Sequence, residues 1–301
     1  MVDFVKYRTV SFSIFVLLIA SFVGLYYYRG GFRYSIDFTG GTQVVVRFDK
    51  PVSVGQVRDI LKGSGNWKNI EASEFDRSDV RVRIPEVSLE SSGLGQQIKE
   101  TLEKSLPDIQ VEIRQSEQVS PSIENTLMWN AAKAIFLALL AILLYIFFRF
   151  RFSFAVGSIV ALFHDTLVIL TAFLLLNWEI SLDVIAAILT VLAYSNNDTI
   201  VIFARIRERM RKQLAGQSMT EIANEAINST LTRTLLTSFA TGLVVVSILV
   251  FGGNALRGLS FPLLLGIVFG TYSSIFIASP VMLLFYRDKN RQKEREPIAV
   301  S

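Results

Sequence analysis

Six apolar runs, each long enough to cross a bilayer as a helix, leave this chain few folds to choose from. They fall at Val10 to Tyr28, Ala131 to Phe148, Phe152 to Leu176, Leu182 to Phe203, Leu235 to Phe251 and Leu259 to Phe285. About 20 helical residues cross the hydrocarbon core, where every backbone polar group needs an internal partner. With 51% hydrophobic residues and a mean hydropathy of +0.44, the chain is expected to be a polytopic α-helical membrane protein. Its first run resembles a secretory leader but has no small-residue cleavage pattern after it. Tyr26-Tyr27-Tyr28-Arg29 instead suits an interfacial belt, so residues 1–30 read as a short cytoplasmic end and an uncleaved anchor.

Between the first two runs the composition becomes that of a small soluble domain, residues 31–120. Tyr34 to Phe48 reads as a strand with a glycine bend or bulge at Gly40-Gly41. Ser53 is placed to cap a helix over Val54 to Leu61. Trp67 to Phe75 and Val80 to Ile84 read as two strands joined by a turn at Asp76 to Asp79. A helix over Ser91 to Ser105 and a strand over Ile109 to Ile113 complete the order βαββαβ, the ferredoxin-like unit. Glu71, Glu74 and Glu86 alternate with apolar residues and read as a solvated face. Nothing in this domain has the pattern of a catalytic site, and the fold order by itself assigns no function.

Cationic residues set the orientation. Lys6, Arg8, Arg149, Arg151, the cluster from Arg205 to Lys212, Arg233 and the basic tail at 287–301 all fall on one side. The opposite loops hold Trp178, Glu179, Asp183 and Arg257, with Trp129 at the same level. By the positive-inside rule both termini are cytoplasmic and the soluble domain lies across the membrane, in the periplasm of a Gram-negative cell. The basic residues thus flank the membrane and its lipid phosphates, and nucleic acid is not expected as a partner. In the segment 121–286, Ser218-Met219-Thr220-Glu221 has the capping-box pattern and opens an expected short cytoplasmic helix over about 218–229.

Chemistry is expected where polar groups interrupt the runs. The fourth run contains Tyr194-Ser195-Asn196-Asn197-Asp198-Thr199. A carboxylate in mid-span costs about 3 kcal/mol on insertion scales, and such groups commonly serve an ion or proton path. A carboxyl group in an apolar bundle ionises reluctantly and a nearby cation opposes that effect, so one held between the two can load and release a proton. Arg205 lies two helical turns beyond Asp198 on the same face, a rise of about 10 Å. Tyr194, one turn before Asp198, is placed to donate a hydrogen bond to it, and Asn197 or Ser195 to relay or hold water. His164 and Asp165 sit mid-span in the third run, but neighbours on a helix diverge by about 100° and are not expected to face one point. Thr230, Thr234, Thr237, Ser238 and Thr241 form a hydroxyl stripe on the fifth run. Gly266 and Gly270 have the close-packing spacing GxxxG. The chain has no Cys and a single His, which excludes thiol chemistry and clusters of His ligands. No Walker loop, dinucleotide fingerprint or zinc motif occurs, so no cofactor or metal is expected.

Several stretches together carry a resemblance. In order they are Asp37-Phe38-Thr39-Gly40-Gly41, Ala161-Leu162-Phe163-His164-Asp165, Tyr194 to Glu208, Arg233-Thr234, Phe251-Gly252-Gly253 and Gly270 to Pro280. On these the chain resembles the SecF family, whose members pair with SecD in the bacterial accessory protein-export complex. The resemblance implies an RND-like half of six helices that joins a similar half from SecD. It implies a non-enzymatic role in the inner membrane, where the proton motive force assists polypeptides leaving the SecYEG channel. It maps the family's intramembrane carboxylate and following arginine, for proton relay and coupling, onto Asp198 and Arg205; beside it, the residue pattern puts Tyr194, Asn197, Thr237, His164 and Asp165 in support. The chain departs from the family pattern at Ala193, where Gly is usual, at Asn196, where an apolar residue is usual, and at Ala204, where an Asp normally precedes the arginine. Two other readings stand beside this one: a scaffold that stabilises SecD and the channel without carrying protons, and half of an RND-type lipid or drug exporter. The small outer domain argues against the exporter.

Overall fold

In the computed structural model the described residues are 2–65, 67, 70–76, 79–84, 93–119, 121–212 and 217–286. Six helices among them are long and apolar enough to span a membrane: Val5–Arg29, Thr126–Arg149, Phe152–Leu176, Leu182–Arg211, Met219–Phe251 and Gly253–Phe285. The protein is a multi-pass membrane protein. The basic tail and Glu86 lie outside the described residues.

The first span is a helical turn, Val5–Tyr7, running into α1, Arg8–Arg29. Gly30 ends it in the left-handed region at φ 74°, where a side chain would be strained. The strand expected from Tyr34 to Phe48 is broken in two. Strand β1, Arg33–Tyr34, is followed by the single turn α2, Ile36–Thr39, and only then by β2, Gly41–Phe48. Ser35 caps that turn by accepting from the Asp37 N–H, so local side-chain bonding overrides the extended pattern.

Next come α3, Val54–Gly63, capped by Ser53, then β3, Glu71–Asp76, β4, Asp79–Ile84, α4, Leu94–Ser105, and β5, Val111–Val119. The four strands β2 to β5 form one sheet in the order β3-β4-β2-β5, each neighbour antiparallel. Val44, Val46 and Phe48 of β2, with Val82 and Ile84 of β4, bury one face against Val57 and Leu61 of α3 and Ile98 and Leu102 of α4. The third strand begins later than expected, because Trp67 and Ile70 are buried without pairing. The last strand runs six residues further, to Val119, along the whole of β2.

Helix α5, Pro121–Arg149, returns to the bundle, followed by α6, Phe152–Leu176. A two-residue strand β6, Glu179–Ile180, leads into α7, Leu182–Arg211. Helix α8 is Met219–Phe251 and α9 is Gly253–Ser273. A π turn, Ser274–Ala278, joins α9 to α10, Ser279–Phe285. The capping box at Ser218 and Glu221 forms as expected, but the short helix it was expected to open is the first part of α8. No Gly or Pro interrupts residues 219–241. The Thr230, Thr237 and Thr241 hydroxyls bond back to carbonyls one turn earlier, so the polar stretch stays helical. Helices α6, α7 and α9 form the inner layer, and α1, α5 and α8 pack around them with apolar outer faces.

Candidate functional site

Helix α7 is the hub. Its polar stretch sends side chains to several neighbouring helices, because successive residues turn by about 100°. Asn196 accepts a hydrogen bond from Ser158 of α6 at 2.9 Å. Thr199 shares one with Ser274 of the π turn at 2.8 Å. The Tyr194 hydroxyl donates to Thr241 of α8 at 3.1 Å, so it does not serve Asp198 as expected. Close approach of α7 and α9 depends on glycine. A Cβ at Gly266 would lie 2.0 Å from Val191, and one at Gly270 would lie 2.9 Å from Ser195.

Two carboxylates are buried in this layer, on adjacent helices. Asp198, 4% exposed, points toward α8. Among the described residues one hydrogen bond reaches it, from the Ser238 hydroxyl at 3.3 Å. Ser238 in turn receives one from Thr271 of α9 at 2.7 Å. The stripe on α8 therefore supplies Ser238; Thr237 is exposed and bonds only its own helix, against expectation. Asp165, 0% exposed, is held by three partners. Its Oδ2 accepts from Ser195 at 2.6 Å and Ser273 at 2.9 Å, and its Oδ1 lies 3.0 Å from the His164 ring nitrogen. The sequence-based objection that His164 and Asp165 diverge holds for the backbone, but the two side chains fold toward each other. Ser195 is thus a ligand of Asp165 and no relay for Asp198, and Asn197 turns to the outer face of α7.

Arg205 does not approach Asp198 either. It bonds Glu208 at 2.5 Å and Ser229 at 3.2 Å, near the end of α7. Arg207 donates to the Arg149 carbonyl at 2.7 Å. Arg233, an exposed cation on α8, lies five residues before Ser238. Arg233 was legible as a flanking charge and as part of the Arg233-Thr234 stretch, but its helix was expected to begin after it. Ser238 was legible as a member of the hydroxyl stripe, whereas Ser158, Thr271, Ser273 and Ser274 were missed as partners.

Comparison with known proteins bears on this arrangement. The family model "Protein export membrane protein SecD/SecF, C-terminal" matches residues 97–288, which hold both carboxylates. A second, "SecD/SecF GG Motif", matches residues 30–52. The protein translocase subunit SecF of Helicobacter pylori J99 is 37% identical over 296 residues, covering 98% of this chain and 90% of its own. The chain belongs to the SecF family. Its relative in Pseudomonas aeruginosa is 36% identical over 282 residues, 94% of this chain. Among solved structures, SecDF from Thermus thermophilus, a translocon-associated membrane protein, superposes with a TM-score of 0.84 at 35% identity. That match covers 94% of this SecF-family chain and 38% of the longer SecDF chain. A second SecDF structure, in a super-membrane-facing form, gives a TM-score of 0.69 at 34% identity, over 98% of this chain and 40% of that one.

Proposed function

We propose that this chain is the SecF-type subunit of a SecD–SecF complex that uses the proton motive force to help polypeptides complete their passage through the SecYEG channel. Asp198 is the proton carrier, and the observation that carries this reading is its coordination. It is buried in mid-span yet held by one long hydrogen bond, so protonation and deprotonation break little else. Arg233 biases its charge from α8 and Arg205 anchors the end of α7. Each proton crossing 100 mV supplies about 2.3 kcal/mol, enough to shift a two-state bundle.

In this reading both termini are cytoplasmic, residues 31–120 form a periplasmic domain, and residues 287–301 are a basic cytoplasmic tail. The strand order β3-β4-β2-β5 with α3 and α4 on one face supports assigning that domain to the ferredoxin-like type. A six-helix SecD-like partner completes the RND-like pair, membrane lipids cover the remaining apolar faces, and the exported polypeptide meets the outer domain. Reconstituting the complex with the channel in vesicles and measuring ATP-independent export with and without a proton gradient tests the proposal. Gradient-dependent export that Asp198→Asn abolishes supports it. If export is unaffected by the substitution, the chain serves as the scaffold reading describes.

A further inference from the structure

The motif Asp37-Phe38-Thr39-Gly40-Gly41 takes no part in the proton path, yet its geometry ties it to the helix that carries Asp198. Gly40 at φ 64° and Gly41 at φ 112° turn the chain sharply out of α2 into β2, conformations that side chains resist. The Ser35 hydroxyl donates to the Asp37 carboxylate at 2.9 Å and fixes its direction. Asp37 then reaches across 145 residues, and its Oδ2 accepts the N–H of Leu182, the first residue of α7, at 2.9 Å. The local capping residue of α7, Ser181, makes no side-chain cap bond. Asp37 takes that place from the α/β unit, and a carboxylate at a helix N-terminus also meets the positive end of the dipole.

A second set of contacts lies beside it. Strand β1 pairs in parallel with β6, with Arg33 opposite Glu179 and Tyr34 opposite Ile180, and the Ser35 N–H continues the ladder to the Ile180 carbonyl at 3.0 Å. Glu179 receives three arginines: Arg33 at 3.4 Å, Arg81 at 3.7 Å and Arg83 at 4.0 Å. Arg83 also donates to the Tyr34 carbonyl at 3.2 Å and to the Thr39 hydroxyl. Burial pulls the Arg81 guanidinium below its ordinary value and the Glu179 carboxylate opposes this, so Glu179 favours the charged arginine. Residues of the sheet, the motif and the α6–α7 connection thus converge on one spot.

We infer that Asp37 and Glu179 are positioning residues that latch the α/β unit to the start of α7, so that the two move as one body. Asp198 lies 16 residues beyond Leu182, about 24 Å along the same helix. A shift of the outer unit, as when it meets a polypeptide, is carried by the rod to the carboxylate, and proton loading at Asp198 is felt by the outer unit in return. This inference rests on the reading of Asp198 as proton carrier.

The chain contains no cysteine, so Arg33→Cys with Glu179→Cys introduces the only thiol pair. Residues opposite each other on neighbouring strands lie about 4.8 Å apart, within disulfide reach. The assay is gradient-dependent export by the reconstituted complex, with co-purification checking assembly. Asp37→Ala is expected to lower export by about tenfold or more, and Asp37→Asn, which keeps an acceptor oxygen, to retain most of it. Adding the cysteine pair to Asp37→Ala is expected to restore export when oxidised and lose it on reduction. Where Asp37→Ala does not assemble, the cysteine pair alone carries the contrast, oxidised above reduced. Wild-type export by Asp37→Ala in a preparation where Asp198→Asn is inactive overturns the latch and leaves the carrier standing. An oxidised pair no more active than the reduced one overturns it too. Wild-type export by Asp198→Asn removes the carrier, and the latch with it.

Discussion

Asp165 and Asp198 stand on adjacent helices at similar burial, and they are built to opposite ends. Asp165 has His164, Ser195 and Ser273 around it, from three elements of the inner layer. Among the described residues Asp198 has one hydrogen-bond partner, Ser238, at a longer distance, and it faces the outer helix α8. A buried carboxylate with both oxygens engaged ties helices together, and changing its charge disturbs every partner. One with spare acceptor capacity changes charge at small structural cost. Burial alone therefore does not mark a proton carrier; the number of bonds that must break does.

Several experiments break or sharpen that contrast. The largest effect is expected at Asp198: Asp198→Asn should reduce gradient-dependent export to the level of a complex lacking this subunit, while assembly and thermal stability stay unchanged. At Asp165 the pattern should invert. Asp165→Ala removes partners for three groups, two of them on other helices, and at about 0.6 kcal/mol per interhelical hydrogen bond it should lower stability by about 1 kcal/mol, read as a fall in unfolding temperature. Asp165→Asn keeps an acceptor for both serines and should export nearly as well as wild type. Arg233→Gln, which removes the α8 cation proposed to bias Asp198, should slow export severalfold, and Arg205→Gln should slow it less. The smallest effect is expected for Ser238→Ala, which removes one long hydrogen bond worth about 1 kcal/mol; an effect as large as that of Asp198→Asn would mean that the serine itself relays the proton.

How much of this was legible in the sequence follows the range of the forces involved. The spans from Phe152 to Leu176 and at the start of α7 could be read to the residue, because apolar runs and their flanking turns are local signals. The capping box at Ser218 was equally local and formed. The extent of α8 was not legible, since eight polar residues over 224–234 look like a break until their hydroxyls and amides find partners on the helix itself and on residues 2–5. The same limit applies to the site. Asp198 stood out because it is a charge in an apolar run, whereas the choice of Ser238 over Thr237, and of Arg233 over Arg205, depends on how α8 is rotated against α7. Nothing in either helix sets that rotation alone. Asp37 was visible as a motif, but its partner 145 residues away was not.

The central claim, that Asp198 and not Asp165 exchanges the proton, is tested most directly by infrared difference spectroscopy of the assembled complex across an acidification step. The account predicts a protonated-carboxyl band that is absent in Asp198→Asn and unchanged in Asp165→Asn. A band that survives Asp198→Asn and vanishes in Asp165→Asn would contradict it.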